Sequence, residues 1–455
     1  MKKKFNFTEG PLLINIILYA LPIIASNILQ LLFNTADTIV VGQFAANKSA
    51  LPAVGATTSL VYLIVGLAIG ISSGANIVLS RCVGEKDPQK AKKVVGTAIS
   101  LGFILGIIMA VIGAGGARTF LTWMDCPESV IDLSTLYVRI YCLGLPIVFV
   151  YNFSASILRA SGDTLRPLLY LIMAGIINVV LNIFFVTVFG MDVDGVAIAT
   201  ITSQLIAGIC LLRILFKEKD YARLETQYLK PDKNITTEIF RIGIPAGLQS
   251  SLFSLSNVFV QASVNSFGNE ILLSGNTISL SLEGFLYNGM NGVSIASLTV
   301  IGQNYGALDF DRIKKSIFRC ILVVFSVGIT LSTFVLVFHE PLCAVYRNDP
   351  EVIAYAYQRL SVVGASYFLG GIMEVLSNCL RGLGKSVTSM IISLSGSCLF
   401  RIIWLLTVFK AYPTLKMIYI VYPISWIITP IMHTIFLYIT YKKLKNTYAN
   451  KQITA

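Results

Sequence analysis

Residues 49–80 read SALPAVGATTSLVYLIVGLAIGISSGANIVLS, a continuous run without a charged side chain. A helix that spans a bilayer needs about 20 mostly apolar residues. Further uncharged runs occupy 94–117, 167–191, 242–269, 284–308 and 417–441. Because these runs are continuous rather than alternating segments of about 10 residues, they indicate membrane-spanning helices and not barrel strands.

Composition supports this interpretation. Charged residues make up 13% of the 455 residues, against about 25% in a soluble domain, and hydrophobic residues make up 55%. The net charge of +12 does not indicate nucleic acid, because Lys and Arg fall in short clusters between uncharged runs rather than on one solvated face. The sequence predicts an all-α polytopic membrane protein with twelve transmembrane helices, near 12–37, 52–80, 94–121, 131–158, 166–189, 195–216, 239–265, 272–301, 316–338, 353–380, 387–409 and 417–440.

The loops predict the orientation. If the N-terminus is cytoplasmic, 27 Lys and Arg lie on the cytoplasmic side, among them Lys2, Lys3 and Lys4. Seven lie opposite, Lys48 and Arg359 included, and Arg401 falls within a helix. The positive-inside rule then places both termini in the cytoplasm of a multi-pass protein of the cell (inner) membrane. The first apolar stretch is too long for a cleaved signal peptide, so we expect it to remain as a helix.

The chain repeats itself across the polar segment that divides it. LRASGDT (158–164) matches LRGLGKS (380–386), and Pro22 and Asn34 of the first half match Pro245 and Asn257 of the second. We therefore predict an N-lobe (1–216), a cytoplasmic connector (217–238), a C-lobe (239–441) and a cytoplasmic tail (442–455). Two six-helix bundles in the same orientation are typical of secondary transporters that work by alternating access.

Polar residues within the first lobe predict a cation site. At 100° per residue, Asn27, Gln30, Asn34 and Asp37 share one face of the first helix. Asn178 and Asn182 share a face of the fifth helix, as Thr200 and Gln204 do in the sixth. Their oxygens suit Na⁺, and a buried Asp37 suits H⁺. Two alternatives stay open: Asp37 is solvated at the outer helix end, or the amides and hydroxyls only join helices.

The second lobe carries ionisable groups at membrane depth, which mark a candidate substrate cavity. Glu283, Glu374 and Arg401 are these groups, and a Glu374–Arg401 ion pair would make the last two structural. The remaining residues predicted for the substrate cavity are Asn27, Gln30, Asn34, Asn152, Gln204, Asn257 and Asn288. In the first helix, Pro22 removes a backbone hydrogen bond and predicts a hinge, although a passive kink fits equally well.

Energy coupling and enzymatic activity can also be addressed from motifs. The sequence has no Walker A motif, so we expect an ion gradient rather than ATP to drive transport. We find no paired nucleophile and base and no His or Cys metal pattern, and so expect neither an enzyme nor a cofactor. The only metal ion expected is Na⁺ at Asp37, Asn178, Asn182 and Thr200.

These residues resemble the multidrug and toxic compound extrusion (MATE) transporters along essentially the whole chain. No single motif is specific, but their order, spacing and duplication are. The resemblance is carried by Pro22, NTADT (34–38), RCVG (81–84), LRASGDTLRP (158–167), NVVLN (178–182), GVAIAT (195–200), GQNYGA (302–307) and LRGLG (380–384).

The resemblance implies two six-helix lobes and antiport of organic compounds outward against inward Na⁺ or H⁺. It maps a cation site onto Asp37, Asn178, Asn182 and Thr200, although many relatives have an aspartate where this chain has Asn182. A cationic cargo is predicted because Arg401 is the one intramembrane cation inferred, against three carboxylates. The alternative is a lipid-linked or metabolite flippase or exporter of the same superfamily. We expect small organic molecules and the bilayer as partners, no nucleic acid, and a monomer.

Overall fold

The computed structural model describes residues 4–45, 47 and 49–454, the last four by their backbone only. The predicted roles of Lys2, Lys3 and Lys48 fall outside these residues. Within them the chain forms helices and no β-strand. The helices are α1 (Leu12–Phe44), α2 (Ala50–Glu85), α3 (Pro88–Trp123), α4 (Ile131–Leu143), α5 (Leu145–Ala160), α6 (Leu165–Thr187), α7 (Val193–Lys217), α8 (Lys233–Asn265), α9 (Glu270–Gly306), α10 (Phe310–Val337), α11 (His339–Ala344), α12 (Pro350–Arg359), α13 (Ala365–Gly382), α14 (Ser386–Ser393), α15 (Phe400–Trp404) and α16 (Leu415–Thr454).

The predicted all-α class with twelve transmembrane helices is confirmed. In the described part of the chain, nine continuous helical segments are long and apolar enough to cross a bilayer, and α4 with α5 makes a tenth span bent by 50°. The helices α8 and α9, of 33 and 37 residues, are as long but more polar, and they complete the twelve. The bend falls at Gly144, where Pro146 cannot supply a backbone donor to the preceding turn.

Two of the spans contain π-helical turns. One turn, Leu360–Gly364, joins α12 to α13. The others flank α15 at Leu394–Leu399 and Leu405–Phe409. Such turns widen a helix locally and occur frequently at functional sites. The short helix α15 between them carries Arg401.

Contacts divide the chain into two compact units. Unit 1 contains Met1–Phe5 and Ala25–Gly247, and unit 2 contains Asn6–Ile24 and Leu248–Ala455. The dividing points within α1 and α8 each lie just after a proline, Pro22 or Pro245, at equivalent positions of the sequence repeat. The lobe boundaries placed by sequence at 216 and 239 stay a prediction.

The repeated LRASGDT motif has a structural role at the end of α5. Gly162 adopts φ +89°, and a Cβ there would lie 2.1 Å from the Phe5 carbonyl oxygen. The Phe5 N–H donates to the Gly162 carbonyl oxygen at 3.0 Å. Nearby, Lys4 and Arg166 both pair with Glu218. Burial acts to raise the pKa of this carboxyl, but the two cations outweigh it and hold the pKa below its usual value.

Glycines allow α2 and the first half of α8 to approach closely inside unit 1. A Cβ on Gly74 would lie 2.3 Å from the Ile239 carbonyl oxygen, and one on Gly70 would lie 2.3 Å from the Cα of Gly247. Both obstacles are backbone atoms, which a rotamer change cannot move. The small-residue spacing in α2 therefore serves helix packing, as is common in membranes.

We predict that Gly74→Val destabilises the protein by about 1–3 kcal/mol, the usual cost of overpacking, and by more if the helices separate. The measurement is thermal unfolding of the detergent-purified chain. Gly55→Val is the matched control in the same helix, since a Cβ at Gly55 meets nothing within 4 Å. Equal melting temperatures for the two variants would contradict the close approach.

Candidate functional site

A chain of hydrogen bonds links three helices inside unit 1. Asn182 Nδ2 donates to Asp37 Oδ1 at 2.5 Å and lies 3.4 Å from Asn178 Oδ1. Asn178 Nδ2 donates in turn to Thr200 Oγ1 at 3.3 Å. Asp37 is half-buried on α1, whereas the two asparagines are buried on α6. The four residues predicted to form the cation site are thus neighbours.

Three of these residues, Asp37, Asn178 and Thr200, line a small, partly polar cavity. Its volume of about 60 Å³ holds a few water molecules. The oxygens Gln204 Oε1 and Asn182 Oδ1 are buried and accept no hydrogen bond from the described residues. The cavity lining consists of Gln30, Phe33, Asn34, Asp37, Leu171, Ala174, Gly175, Asn178, Thr200, Ser203 and Gln204.

This donor set fits a small hard cation. Carboxylate, amide and hydroxyl oxygens are the ligands that such cations prefer. Among the cavity-lining residues Asp37 is the only carboxylate, so it supplies the only full negative charge. Of the polar stripe on α1, Gln30 and Asn34 line the cavity with Asp37, whereas Asn27 lies outside its lining.

The predicted asparagines Asn152 and Asn288 lie elsewhere. Asn152 Nδ2 donates to the Val148 carbonyl oxygen of its own helix, and Asn288 Nδ2 donates to that of Gly284, both at 2.8 Å. Amides that bond the carbonyl four residues back are a common arrangement within helices. Neither side chain lines the cavity around Asp37, and their predicted place in a substrate cavity stays a prediction.

Unit 2 contains a buried ion pair that the sequence analysis missed. Arg359 Nε and Nη2 donate to the two oxygens of Glu283 at 2.7 and 2.9 Å, and Arg359 Nη1 donates to Asn276 Oδ1 at 3.1 Å. Arg359 is only 1% exposed. Counting it among the non-cytoplasmic loop charges was therefore wrong. Its position inside the predicted helix 353–380 was the available signal.

Arg401 is also buried in unit 2, but its neighbours are aromatic rings, a hydroxyl group and an amide instead of a carboxylate. Its guanidinium lies 4.3 Å from the Tyr422 ring centre, and its Nε donates to Ser425 Oγ at 3.1 Å. Nη1 lies 3.5 Å from Asn257 Oδ1. No Glu374–Arg401 ion pair exists among the described residues, and half-buried Glu374 forms none with any described partner. Arg401 is thus not the one intramembrane cation, since Arg359 is a second.

Together these features define a class of protein. A repeated, all-helical membrane protein with an ion-sized polar cavity inside one unit is typical of secondary transporters. The MatE family model matches residues 22–184 and again residues 245–407, so the second match begins at Pro245, the counterpart of Pro22. The chain belongs to the MatE family.

Relatives and solved structures agree with this assignment. The probable multidrug resistance protein YoeA of Bacillus subtilis is 29% identical over 83% of this chain and 82% of its own length. The multidrug export protein MepA of Staphylococcus aureus is 23% identical over 88% of this chain and 89% of its own. An outward-facing structure of a multidrug resistance MATE transporter superposes with a TM-score of 0.90, at 21% identity, over 98% of this chain and 100% of its own.

We predict that Glu283→Gln destabilises the chain by about 3–5 kcal/mol, because it leaves the Arg359 charge buried without its acid. Thermal unfolding in detergent measures the effect. The double variant Glu283→Gln with Arg359→Met removes both charges, and we expect it to recover most of the loss. A double variant no more stable than Glu283→Gln alone would show that the pair is not energetically coupled.

Proposed function

We propose that this protein is a multidrug efflux transporter that exports organic compounds in exchange for Na⁺ or H⁺. The observation that carries the proposal is the hydrogen-bonded chain from Asp37 through Asn182 and Asn178 to Thr200, beside a small polar cavity. The family membership and the multidrug-resistance names of its relatives support the efflux.

Cavity size separates the roles of ion and cargo. About 60 Å³ accommodates a cation with little water, whereas sites for drug-sized molecules measure roughly 300–1,000 Å³. In the proposed mechanism the Asp37 cavity takes only the coupling ion, and the cargo binds elsewhere. Ion and cargo then act on each other through a change of conformation rather than by displacement from one pocket.

Ion occupancy changes the charge of the Asp37 cavity. When no ion is bound, Asn182 donates a hydrogen bond to the Asp37 carboxylate. A bound Na⁺ or H⁺ neutralises this carboxylate and competes with Asn182 for the same oxygen. An uncompensated charge at membrane depth costs about 2.5–3.5 kcal/mol, so the two states favour different surroundings. Asp37 shares its helix with Pro22, fifteen residues earlier, and in this proposal the proline is the hinge through which α1 responds.

The cargo class is proposed from Glu374. This carboxylate is half-buried in α13, where the charge of Arg381 acts on it without forming an ion pair, so its oxygens remain available to a cationic compound. Arg401 is not the single buried cation, since Arg359 is buried as well, and so the number of cations does not favour a cationic cargo. We further propose a monomer in the cell membrane with both termini in the cytoplasm.

A second candidate is a lipid-linked or metabolite exporter of the same superfamily. The observation that favours it is the buried Arg401, which has no acidic partner among the described side chains. Movement of anionic lipid precursors without any drug or dye efflux would establish this alternative.

We predict that Asp37→Asn abolishes gradient-driven efflux of ethidium from proteoliposomes, because it removes the only carboxylate that lines the ion cavity. Imposing a Na⁺ gradient and a pH gradient separately identifies the coupling ion in the wild type. Asp132→Asn, an exposed carboxylate paired with Arg118, is the control and should transport normally. Uphill efflux at the wild-type rate by Asp37→Asn would refute the role given to Asp37.

We also predict that Glu374→Gln slows export of a cationic dye at least fivefold more than export of a neutral one. The reason is that only the cation loses a charged partner. Initial rates in the same proteoliposomes give the comparison, with Glu351→Gln at the start of α12 as the control. An equal loss for both dyes would indicate that Glu374 has a structural role.

A further inference from the structure

A long apolar groove lies in unit 2 between the first half of α1 and the helix α10. Its volume is about 240 Å³, below the roughly 300–1,000 Å³ of sites for drug-sized molecules. It extends along α1 from Leu13 to Ile24, a distance of about 16 Å at the helical rise of 1.5 Å per residue. Such a groove suits a long, thin apolar group. The lining consists of Leu13, Ile17, Ala20, Leu21, Ile24, Val293, Leu322, Val323, Ser326 and Val327.

The groove is open at the membrane-facing surface of unit 2. Its rim is formed by Ile17, Leu21 and Leu322, which are 39%, 52% and 43% exposed. Both α1 and α10 are long and apolar enough to cross a bilayer. Lipid tails are as apolar as leucine, so an exposed leucine on a spanning helix meets them without cost. The apolar group available to the groove is therefore the acyl chain of a lipid.

The packing of α1 on α9 makes the groove a fixed feature of unit 2. A Cβ on Gly292 of α9 would lie 2.7 Å from the backbone nitrogen of Ile24, so the two helices touch there. One turn and a half earlier in α1, Tyr19 Oη donates to Thr299 Oγ1 of α9 at 3.1 Å. Because α1 is held against α9 at both points, its distance from α10 is set by helix packing and not by whatever occupies the groove.

One end of the groove is basic. On α10, Arg312, Lys315 and Arg319 precede the lining residues and share a helix face with Leu322, since they are spaced by three or four residues. This is the end at which α1 begins as well. Arg312 Nη2 donates to the carbonyl oxygen of Gly10, just before α1, at 2.8 Å. The face of α10 is thus cationic at its start and apolar further along.

Two of these cations lack a partner in the protein. Lys315 and Arg319 take part in no hydrogen bond and no ion pair with the described residues. The acids at the start of α10 are engaged elsewhere: Asp309 accepts from a backbone N–H of its own helix, and Asp311 pairs with Lys445. Arg319 is half-buried, one turn before the groove. The position therefore carries positive charge that an anion from outside the protein would neutralise.

We propose that the α1–α10 groove binds an anionic phospholipid of the leaflet in which both helices begin. One acyl chain lies in the groove, and the phosphate accepts hydrogen bonds from Arg319 and Lys315. Basic pockets between transmembrane helices bind anionic lipid headgroups in this way. The chain contacts Leu21 and Ile24, on either side of Pro22, so the bound lipid braces α1 at its proline. This site goes beyond the proposed transport function and depends on neither its ion nor its cargo.

Lipid binding to the purified full chain in detergent tests the charge of the site. The chain is titrated with palmitoyl-oleoyl phosphatidylglycerol, and with phosphatidylcholine of the same acyl chains, and native mass spectrometry measures the bound fraction. We expect a Kd at least tenfold lower for phosphatidylglycerol. Arg319→Gln should raise that Kd at least fivefold and leave the Kd of phosphatidylcholine unchanged. Lys314→Gln is the matched control, an exposed cation on another face of α10, and should bind as the wild type does.

A second pair of variants tests the acyl chain. Ser326→Trp fills the groove with an indole ring while every cation remains, and it should raise the Kd of phosphatidylglycerol at least fivefold. Leu18→Trp places the same ring on α1 outside the lining, at a residue that is 48% exposed, and should leave the Kd unchanged. Because Arg319→Gln and Ser326→Trp act on different ends of the site, each remains a test if the other variant does not fold.

Three results would overturn the proposal. Equal Kd values of the two lipids in the wild type, or an equal loss in Lys314→Gln and Arg319→Gln, would indicate attraction to the charged surface as a whole. An unchanged Kd in folded Ser326→Trp would place the lipid outside the groove. Full displacement of phosphatidylglycerol by excess glycerol 1-phosphate would indicate a site for small anions alone. Asp37→Asn should bind phosphatidylglycerol normally, so a failure of ion coupling is distinguishable from a failure of this site.

Discussion

The interior of a bilayer offers no water to a polar group, and this constraint shapes the rest of the structure. Every backbone N–H and C=O at membrane depth needs a partner within the protein, so the spanning segments are helices. Polar side chains follow the same rule. Glu283 and Arg359 satisfy each other, whereas Asp37 is held by Asn182 beside a cavity. A polar group kept at this depth without a fixed counter-charge is therefore informative.

Duplication supplied two copies of one framework, and the charges placed on it have diverged. In unit 1 the framework holds a carboxylate among amides and a hydroxyl, with a cavity of ion size. In unit 2 the corresponding helices hold Arg401 among aromatic rings. Structural features persisted better: Gly162 and Gly384 keep positive φ angles at the matched loops. Loop geometry is constrained by sterics, while charge is free to change with function.

Much of the candidate ion site could be predicted from sequence because it depends on helix periodicity. Asn178 and Asn182 are four residues apart, so a helix necessarily places them on one face. The partners across helices had no such local signal. The pairing of Glu283 with Arg359 joins residues 76 positions apart, and a Glu374–Arg401 pair was equally compatible with the sequence.

The sequence by itself determined the membrane class, the twelve helices, the internal repeat and the faces on which polar residues lie. These follow from local hydropathy and from the 3.6-residue period, which need no knowledge of packing. Only the tertiary structure decided which charges are paired, that Arg359 is buried, and that Asp37 lies beside an ion-sized cavity. The reason is that pairing and burial depend on distances between helices, and those distances are set by side-chain packing across distant parts of the chain.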